Sequence, residues 1–77
     1  MMVYQLQLAR RNGESLEWQT VTQRIEAQSH WAAAKKVGMP TTSRAETDIY
    51  YLELTTAQKR DGYVDARLVK GSDTLTE

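Results

Sequence analysis

An alternating stretch near the start of the chain predicts the first strand. Residues Val3–Ala9 read VYQLQLA. In an extended chain, Tyr4, Leu6 and Leu8 share one side and the two glutamines share the other. This period of two is typical of a strand with one face in the core and the other toward solvent. We therefore predict a half-buried strand at this position.

The residues after this strand predict a hairpin. Asn12-Gly13 is a strong hairpin signal, because a type I′ turn needs a positive φ at both central residues. We expect the second strand to start near Ser15. Its apolar positions change parity after Thr20, which predicts a β-bulge or bend between Thr20 and Arg24.

A short helix is predicted after the second strand. Ser29 can cap its first turn, because the hydroxyl can accept a hydrogen bond from a free backbone N–H. The helix would cover residues 30–37 and end at Gly38, with Pro40 preventing its continuation. A helix of about eight residues is not stable alone. We therefore expect it to pack on the sheet through its alanines, with Trp31 at its edge.

The second half of the chain predicts two more strands. Residues 38–47 lack periodicity, and we expect an exposed loop there. Residues 48–54 are rich in strand-favouring side chains, and residues 63–69 alternate again. Between these strands, residues 55–62 fit a short helical turn or a hairpin turn, and the sequence favours the helical turn. Residues 71–77 are expected to form a polar tail.

Alternation in the two later strands predicts which side chains face the core. Tyr51 lies between two inward positions, so it should point to the other side of the sheet, toward solvent or a partner. The residues expected to face the core are Tyr50, Leu52, Leu54, Val64, Ala66 and Leu68.

Taken together, these elements predict an α+β fold. We expect a single domain over residues 1–77, with its ordered core at about residues 2–70. A mostly antiparallel sheet would carry one short helix in the order β-β-α-β-β, with an extra helical turn before the last strand left open.

Composition limits the classes of function. The 77 residues carry ten Lys and Arg against ten Asp and Glu, so no large positive field is available to hold nucleic acid by charge alone. There is no cysteine, and thus no disulfide or thiolate metal site. No segment approaches the length of a membrane span, and the N-terminus does not resemble a signal peptide. We expect a cytoplasmic protein without membrane contact.

The residues offer little support for catalysis. His30 is the only histidine, and we expect it to be an exposed residue of the first helical turn. The carboxylates Asp48, Asp61, Asp65 and Asp73 are spread along the chain, and no spacing brings two of them into one apolar pocket. Neither a glycine-rich phosphate loop nor a nucleophile elbow is present. We expect no enzymatic activity, no cofactor and no metal.

Aromatic and basic residues indicate a binding protein instead. Two tryptophans and four tyrosines exceed what a small core needs, and Tyr, Trp and Arg dominate binding hot spots. Basic pairs recur at turns and helix ends, where solvated charges are also common: Arg10-Arg11, Lys35-Lys36 and Lys59-Arg60. A second copy of the chain covering the open side of the sheet is an equally good interpretation of the aromatic residues. The candidate partner-binding residues are Trp31, Lys35, Lys36, Tyr51, Lys59 and Arg60.

Two short segments resemble a known family. Residues 22–29 read TQRIEAQS and lead into Ala34-Lys35-Lys36, which resembles small phage and mobile-element proteins. In particular, the chain resembles a compact type I-F anti-CRISPR family with the order β-β-α-β-β, and residues 59–65 are similar to its final hairpin. The resemblance implies a non-enzymatic inhibitor that occupies the DNA-binding surface of a CRISPR surveillance complex. It also implies that the basic residues at 35, 36, 59 and 60 contact that complex.

These patterns favour one function and leave two others open. We expect a protein-binding module, encoded by a phage or mobile element, that blocks a host complex. The first alternative is a small nucleic-acid-binding accessory protein that uses the basic pairs, and its binding would fall steeply with salt. The second is a structural subunit of a larger assembly, which would form obligate oligomers.

Overall fold

The computed structural model describes residues 1–71, and within them five strands form one antiparallel sheet. The strand order is β2-β1-β5-β4-β3, so the first and last strands of the chain lie side by side at the centre. The α+β class and the antiparallel sheet are confirmed, but residues 1–71 contain one strand more than the predicted order β-β-α-β-β, and the additional helical turn that was left open is present as a second helix. The elements are β1 (Met2–Asn12), β2 (Ser15–Ala27), α1 (His30–Val37), β3 (Thr41–Glu46), β4 (Ile49–Leu52), α2 (Thr56–Arg60) and β5 (Tyr63–Gly71).

The predicted hairpin joins β1 to β2, but its turn lies one residue later than expected. Asn12 pairs with Ser15, so the two central residues are Gly13 and Glu14. Gly13 has a φ of +66°, whereas neither Asn12 nor Glu14 has a positive φ. A positive φ at the first central residue alone is the pattern of a type II′ turn, in which glycine fills that position. The prediction of a type I′ turn centred on Asn12-Gly13 is therefore wrong.

The predicted irregularity in β2 is confirmed. Thr20 pairs with Gln7, Thr22 with Leu6 and Ile25 with Tyr4, so β2 contains extra residues on both sides of Thr22. These register shifts change which side of the sheet the following residues face. As a result, Ile25 and Ala27 near the end of β2 lie in the core, whereas Trp18 near its start lies on the opposite side of the sheet.

The hydrophobic core lies between α1 and one side of the sheet, which we call the covered face. Ala33 and Ala34 of α1 pack there, as predicted. Leu68 lies at the centre of the sheet and is completely buried. The predicted inward residues of β1 and β4 are confirmed, with Leu54 packing against the core just after β4 ends. The buried residues of this core are Tyr4, Leu6, Leu8, Ile25, Ala27, Ala33, Ala34, Met39, Leu52, Ala66 and Leu68.

One predicted core residue lies outside the core. Val64 is 45% exposed, and Tyr63 packs against the core instead. The cause is a register shift in the pairing of β1 with β5, where Ala9 pairs with Asp65 but Arg10 pairs with Tyr63. Because such a shift reverses the alternation, the inward position moves from Val64 to its neighbour.

Both ends of α1 have the predicted caps. The hydroxyl of Ser29 accepts a hydrogen bond from the backbone N–H of Ala32 at 3.2 Å. Gly38 has a left-handed φ of +72°, and its N–H donates to the carbonyl of Lys35. Trp31 lies at the edge of the helix and is 65% exposed. The two caps determine where the helix begins and ends, and the buried Ala33 and Ala34 pack it against the sheet.

The predicted loop over residues 38–47 is wrong where it overlaps β3. Residues 41–46 form the edge strand of the sheet, and most of their side chains are exposed. An edge strand with little burial needs no apolar alternation, so the periodicity signal is absent. Thr42 ties the strand to β4, because its hydroxyl donates to the carbonyl of Tyr51 at 3.0 Å. Asp48 adopts a φ of +61° in the turn between the two strands, a conformation that Asp tolerates better than most residues.

The ambiguous segment before the last strand contains a helix. Thr55 caps α2 through a complete capping box: its hydroxyl accepts from the N–H of Gln58, and the Gln58 side chain accepts from the N–H of Thr55. The favoured prediction of a helical turn is thus confirmed. β5 follows and extends to Gly71, whereas residues 72–77 of the predicted polar tail lie outside the described residues.

Candidate binding face

The side of the sheet opposite α1, which we call the open face, carries polar and aromatic side chains. Tyr51 lies between Tyr50 and Leu52 of the covered face, and Arg67 lies between Ala66 and Leu68. Alternation along each strand therefore places Tyr51 and Arg67 on the open face. Both helices are on the other side, because the α1 alanines lie in the core and the Gln58 amide of α2 donates to the core residue Met39.

Four side chains from four strands form a continuous cluster on the open face. The guanidinium carbon of Arg67 lies 3.9 Å from the ring centroid of Trp18. The Trp18 and Tyr51 ring centroids are 6.4 Å apart, and the Arg44 guanidinium carbon lies 4.1 Å from the Tyr51 centroid. A guanidinium over an aromatic ring is attracted by the negative ring face. We call Trp18, Arg67, Tyr51 and Arg44 the aromatic–arginine cluster.

Hydrogen bonds hold the two arginines in place. Nε of Arg67 donates to the Gln7 side-chain carbonyl at 2.8 Å, and the Gln7 amide donates to the Thr20 hydroxyl at 3.2 Å. Arg44 forms an ion pair with Asp65 at 3.4 Å, while the other Asp65 oxygen accepts from the backbone N–H of Ala66. The guanidinium groups of Arg44 and Arg67 and the carboxylate of Asp65 together carry one net positive charge.

Two small apolar residues are buried on the open face. Ala9 pairs with Trp18 on one side and Asp65 on the other, and its exposure is 0% although it lies outside the main core. Val3 is 8% exposed and also lies outside that core. The side chains next to Ala9 therefore shield it from solvent, although no helix or strand of residues 1–71 covers this side of the sheet.

The six predicted site residues do not come together in one surface. Tyr51 is a member of the aromatic–arginine cluster, whereas Trp31, Lys35 and Lys36 lie on α1, on the other side of the sheet. Lys36 donates to the carbonyl of Glu26. The remaining two, Lys59 and Arg60, are exposed in the last turn of α2.

Sequence reasoning missed three members of the cluster as site residues: Trp18, Arg44 and Arg67. Alternation indicates which residues of the same strand lie on one side with Trp18 or with Arg67, but it does not show which strands pair. The pairing of β1 with β5 joins residues about sixty positions apart, such as Gln7 with Arg67. The contact of Gln7 with Arg67 is therefore visible only in the structure.

His30 has a packing environment that the sequence did not predict. Its ring lies parallel to that of Tyr50 with a centroid distance of 4.0 Å, and it is half-buried rather than exposed. The Trp31 ring centroid is 4.2 Å from the His30 centroid. Burial lowers the pKa of His30 below its usual value. Burial also raises the pKa of Tyr4, which meets Tyr50 edge to face, with smaller contributions from Tyr50 and Asp48.

Residues 1–71 contain neither a metal-ligand cluster nor a pocket. No three His, Cys, Asp or Glu side chains of this part of the chain come together as metal ligands, and the same residues enclose no pocket. Neither of the two described helices has the length and apolar character needed to cross a membrane.

Comparison with known proteins gives no relative for this chain. No family model, curated protein or solved structure matches it. The resemblance to type I-F anti-CRISPR proteins therefore stays a prediction.

Proposed function

We propose that this chain is a non-enzymatic binding module that takes a protein partner on the open face of its sheet. The observation that carries the proposal is the aromatic–arginine cluster, in which Trp18 and Tyr51 lie 6.4 Å apart and each carries a guanidinium on its ring. Trp, Tyr and Arg are the residues in which binding energy concentrates at protein interfaces. Here they are assembled before a partner arrives.

Preorganisation supports this use of the cluster. Long arginine side chains lose rotamer freedom when they are fixed at an interface, which costs about 0.5–1.5 kcal/mol for each. Arg67 is already held by Gln7 and Trp18, and Arg44 by Asp65 and Tyr51. The ordering cost is therefore met during folding mainly for the half-buried Arg67, because Arg44 is exposed and its ion pair is longer.

The cluster suits a protein partner better than a single-stranded nucleic acid. Nucleic acid binding of that kind uses aromatic ring faces on which successive bases stack, along a basic groove. Here Arg67 and Arg44 already occupy one face of Trp18 and of Tyr51, so each ring has at most one face left on which a base could stack. The chain as a whole also has no net charge.

The partner we propose is a subunit of a host complex. On the resemblance described above, this is a CRISPR surveillance complex, and the chain would be a phage or mobile-element inhibitor acting in the cytoplasm. The resemblance also implies contacts at Lys35, Lys36, Lys59 and Arg60, but these residues lie on the helices, on the other side of the sheet, and are not part of the surface proposed here.

A pull-down from host lysate tests the proposal. The tagged chain would be compared with the variants Tyr51→Ala and Trp31→Ala, with and without nuclease and at two salt concentrations, and the retained proteins identified by mass spectrometry. Tyr51→Ala removes a ring of the open face, whereas Trp31→Ala removes an exposed ring on the helix side. Thermal unfolding of all three proteins would establish that each variant is folded.

We expect the wild-type chain to retain a defined protein even after nuclease treatment and at high salt. The Trp31→Ala variant should retain the same protein, whereas the Tyr51→Ala variant should not. The loss for Tyr51→Ala should exceed about 1 kcal/mol of binding free energy, as expected for a hot-spot residue. Recovery that disappears with nuclease would instead favour a nucleic-acid-binding function. Equal losses of stability and binding in Tyr51→Ala would make Tyr51 a structural residue and contradict the proposal.

A further inference from the structure

Arg67 lacks the counter-ion that Arg44 and Arg24 of the same sheet have. Arg44 has Asp65 as its counter-ion, and Arg24 has Glu26 at 2.9 Å. No carboxylate of residues 1–71 forms an ion pair with Arg67, although its side chain is half-buried on the open face. A cation that is partly desolvated and lacks a counter-ion favours an incoming anion.

The contacts of Arg67 also fix how an anion could approach. Nε of Arg67 donates to Gln7, and the guanidinium carbon lies 3.9 Å from the centroid of the Trp18 ring. The two Nη nitrogens form the remaining edge, which has the spacing of a carboxylate group and can donate two parallel hydrogen bonds to it. The Gln7 amide donates in turn to the Thr20 hydroxyl at 3.2 Å, and this contact helps to position Gln7 under Arg67.

We propose, on the basis of the binding function above, that Arg67 receives a carboxylate from an acidic segment of the protein partner. The carboxylate binds the Nη edge, and the neighbouring Trp18 and Tyr51 exclude water from the ion pair. Charge complementarity supports this occupant, because Asp65 pairs with Arg44 and leaves the positive charge of Arg67 without a counter-ion. Gln7 is a positioning residue, since it acts only through Arg67.

The test compares substitutions of Arg67 with those of a matched arginine. Binding of the purified partner captured in the pull-down would be measured for Arg67→Gln, Arg67→Lys, Gln7→Leu and Arg24→Gln. We expect Arg67→Gln to bind at least about tenfold more weakly, as for loss of a charge-assisted bidentate pair. Arg67→Lys keeps the charge but loses the fork, so it should also bind several-fold more weakly. Gln7→Leu should give a smaller loss, and Arg24→Gln should bind like wild type.

Two probes identify the anion that Arg67 recognises. An octaglutamate peptide and a fifteen-residue oligothymidine would be titrated into the wild-type chain and into Arg67→Lys, with the Trp18 indole NMR signal as the readout. The proposal predicts that the peptide shifts this signal in wild type and less in Arg67→Lys. A shift with the oligonucleotide alone would overturn it in favour of phosphate recognition.

Failure of this inference can be told from failure of the proposed function. If Arg67→Gln binds the partner like wild type while Tyr51→Ala is weakened, the open face binds the partner but Arg67 receives no carboxylate. If both variants bind like wild type, the open face is not the binding surface and both proposals fail.

Discussion

His30 lies flat on Tyr50 at the edge of the covered face, so its titration reports on local packing. Burial lowers its pKa, which means that the folded chain holds a proton on His30 less well than the unfolded chain. Stability therefore rises with pH between the lowered pKa and the unfolded value of about 6.5, and is fully present above that value. Below the lowered pKa, this contribution is lost.

We expect the NMR titration of this single histidine to give a pKa below about 6.5. Denaturant unfolding should show His30→Gln losing less stability than wild type between pH 7 and pH 5, because the variant cannot bind the proton. A measured pKa above the ordinary value would contradict this prediction. It would indicate that attraction of the imidazolium to the Tyr50 ring exceeds the cost of burial.

The sequence predicts the direction of a single side chain in a strand but not its neighbours across the sheet. The outward position of Tyr51 follows from alternation alone, and the structure confirms it. Its neighbours on the open face do not follow, because Trp18 comes from β2, on the other side of the two central strands. Side-chain direction is local information, whereas strand pairing is set by contacts between distant segments.

At the scale of the element, α1 depends on its caps. Gly38 adopts a φ of +72° with no atom near the position of a Cβ, so an alanine there would meet only backbone strain. We expect Gly38→Ala to lower the free energy of unfolding by about 1–2 kcal/mol, the cost of a left-handed L-residue. Gly71→Ala is the matched control: its φ is not positive and its Cβ would make an ordinary contact with the Val3 carbonyl. Similar losses in both variants, measured by denaturant unfolding, would show that the strain argument is incorrect.

The elements also differ in how well the sequence predicts them. Ser29 and Gly38 mark both ends of α1, and their roles are local hydrogen bonds and local φ angles. β3 was missed because its residues are mostly exposed, so that burial leaves no pattern in their sequence. The predicted turn lies one residue too early, because glycine suits both the second central position of a type I′ turn and the first of a type II′ turn.

For the whole molecule, the two faces of the sheet have different tasks. Leu68 is fully buried under α1, so Leu68→Ala should cost about 2–5 kcal/mol of folding free energy, as for other large-to-small core changes. Trp18 is only half-buried on the open face, and Trp18→Ala should cost less stability than Leu68→Ala but weaken partner binding more than Trp31→Ala does. Thermal unfolding and affinity measurements on the same preparations would compare the effects. A loss of stability in Trp18→Ala as large as that in Leu68→Ala would make the cluster a second core rather than a binding surface.

The most direct test uses the fact that each side of the molecule has one tryptophan. Trp18 lies on the open face and Trp31 on α1, so their two indole N–H signals in an NMR spectrum report on opposite surfaces. Adding the purified partner should shift or broaden the Trp18 signal and leave that of Trp31 nearly unchanged. Perturbation of the Trp31 signal with Trp18 unaffected would place the partner on the helix side and contradict the proposal that the open face binds it.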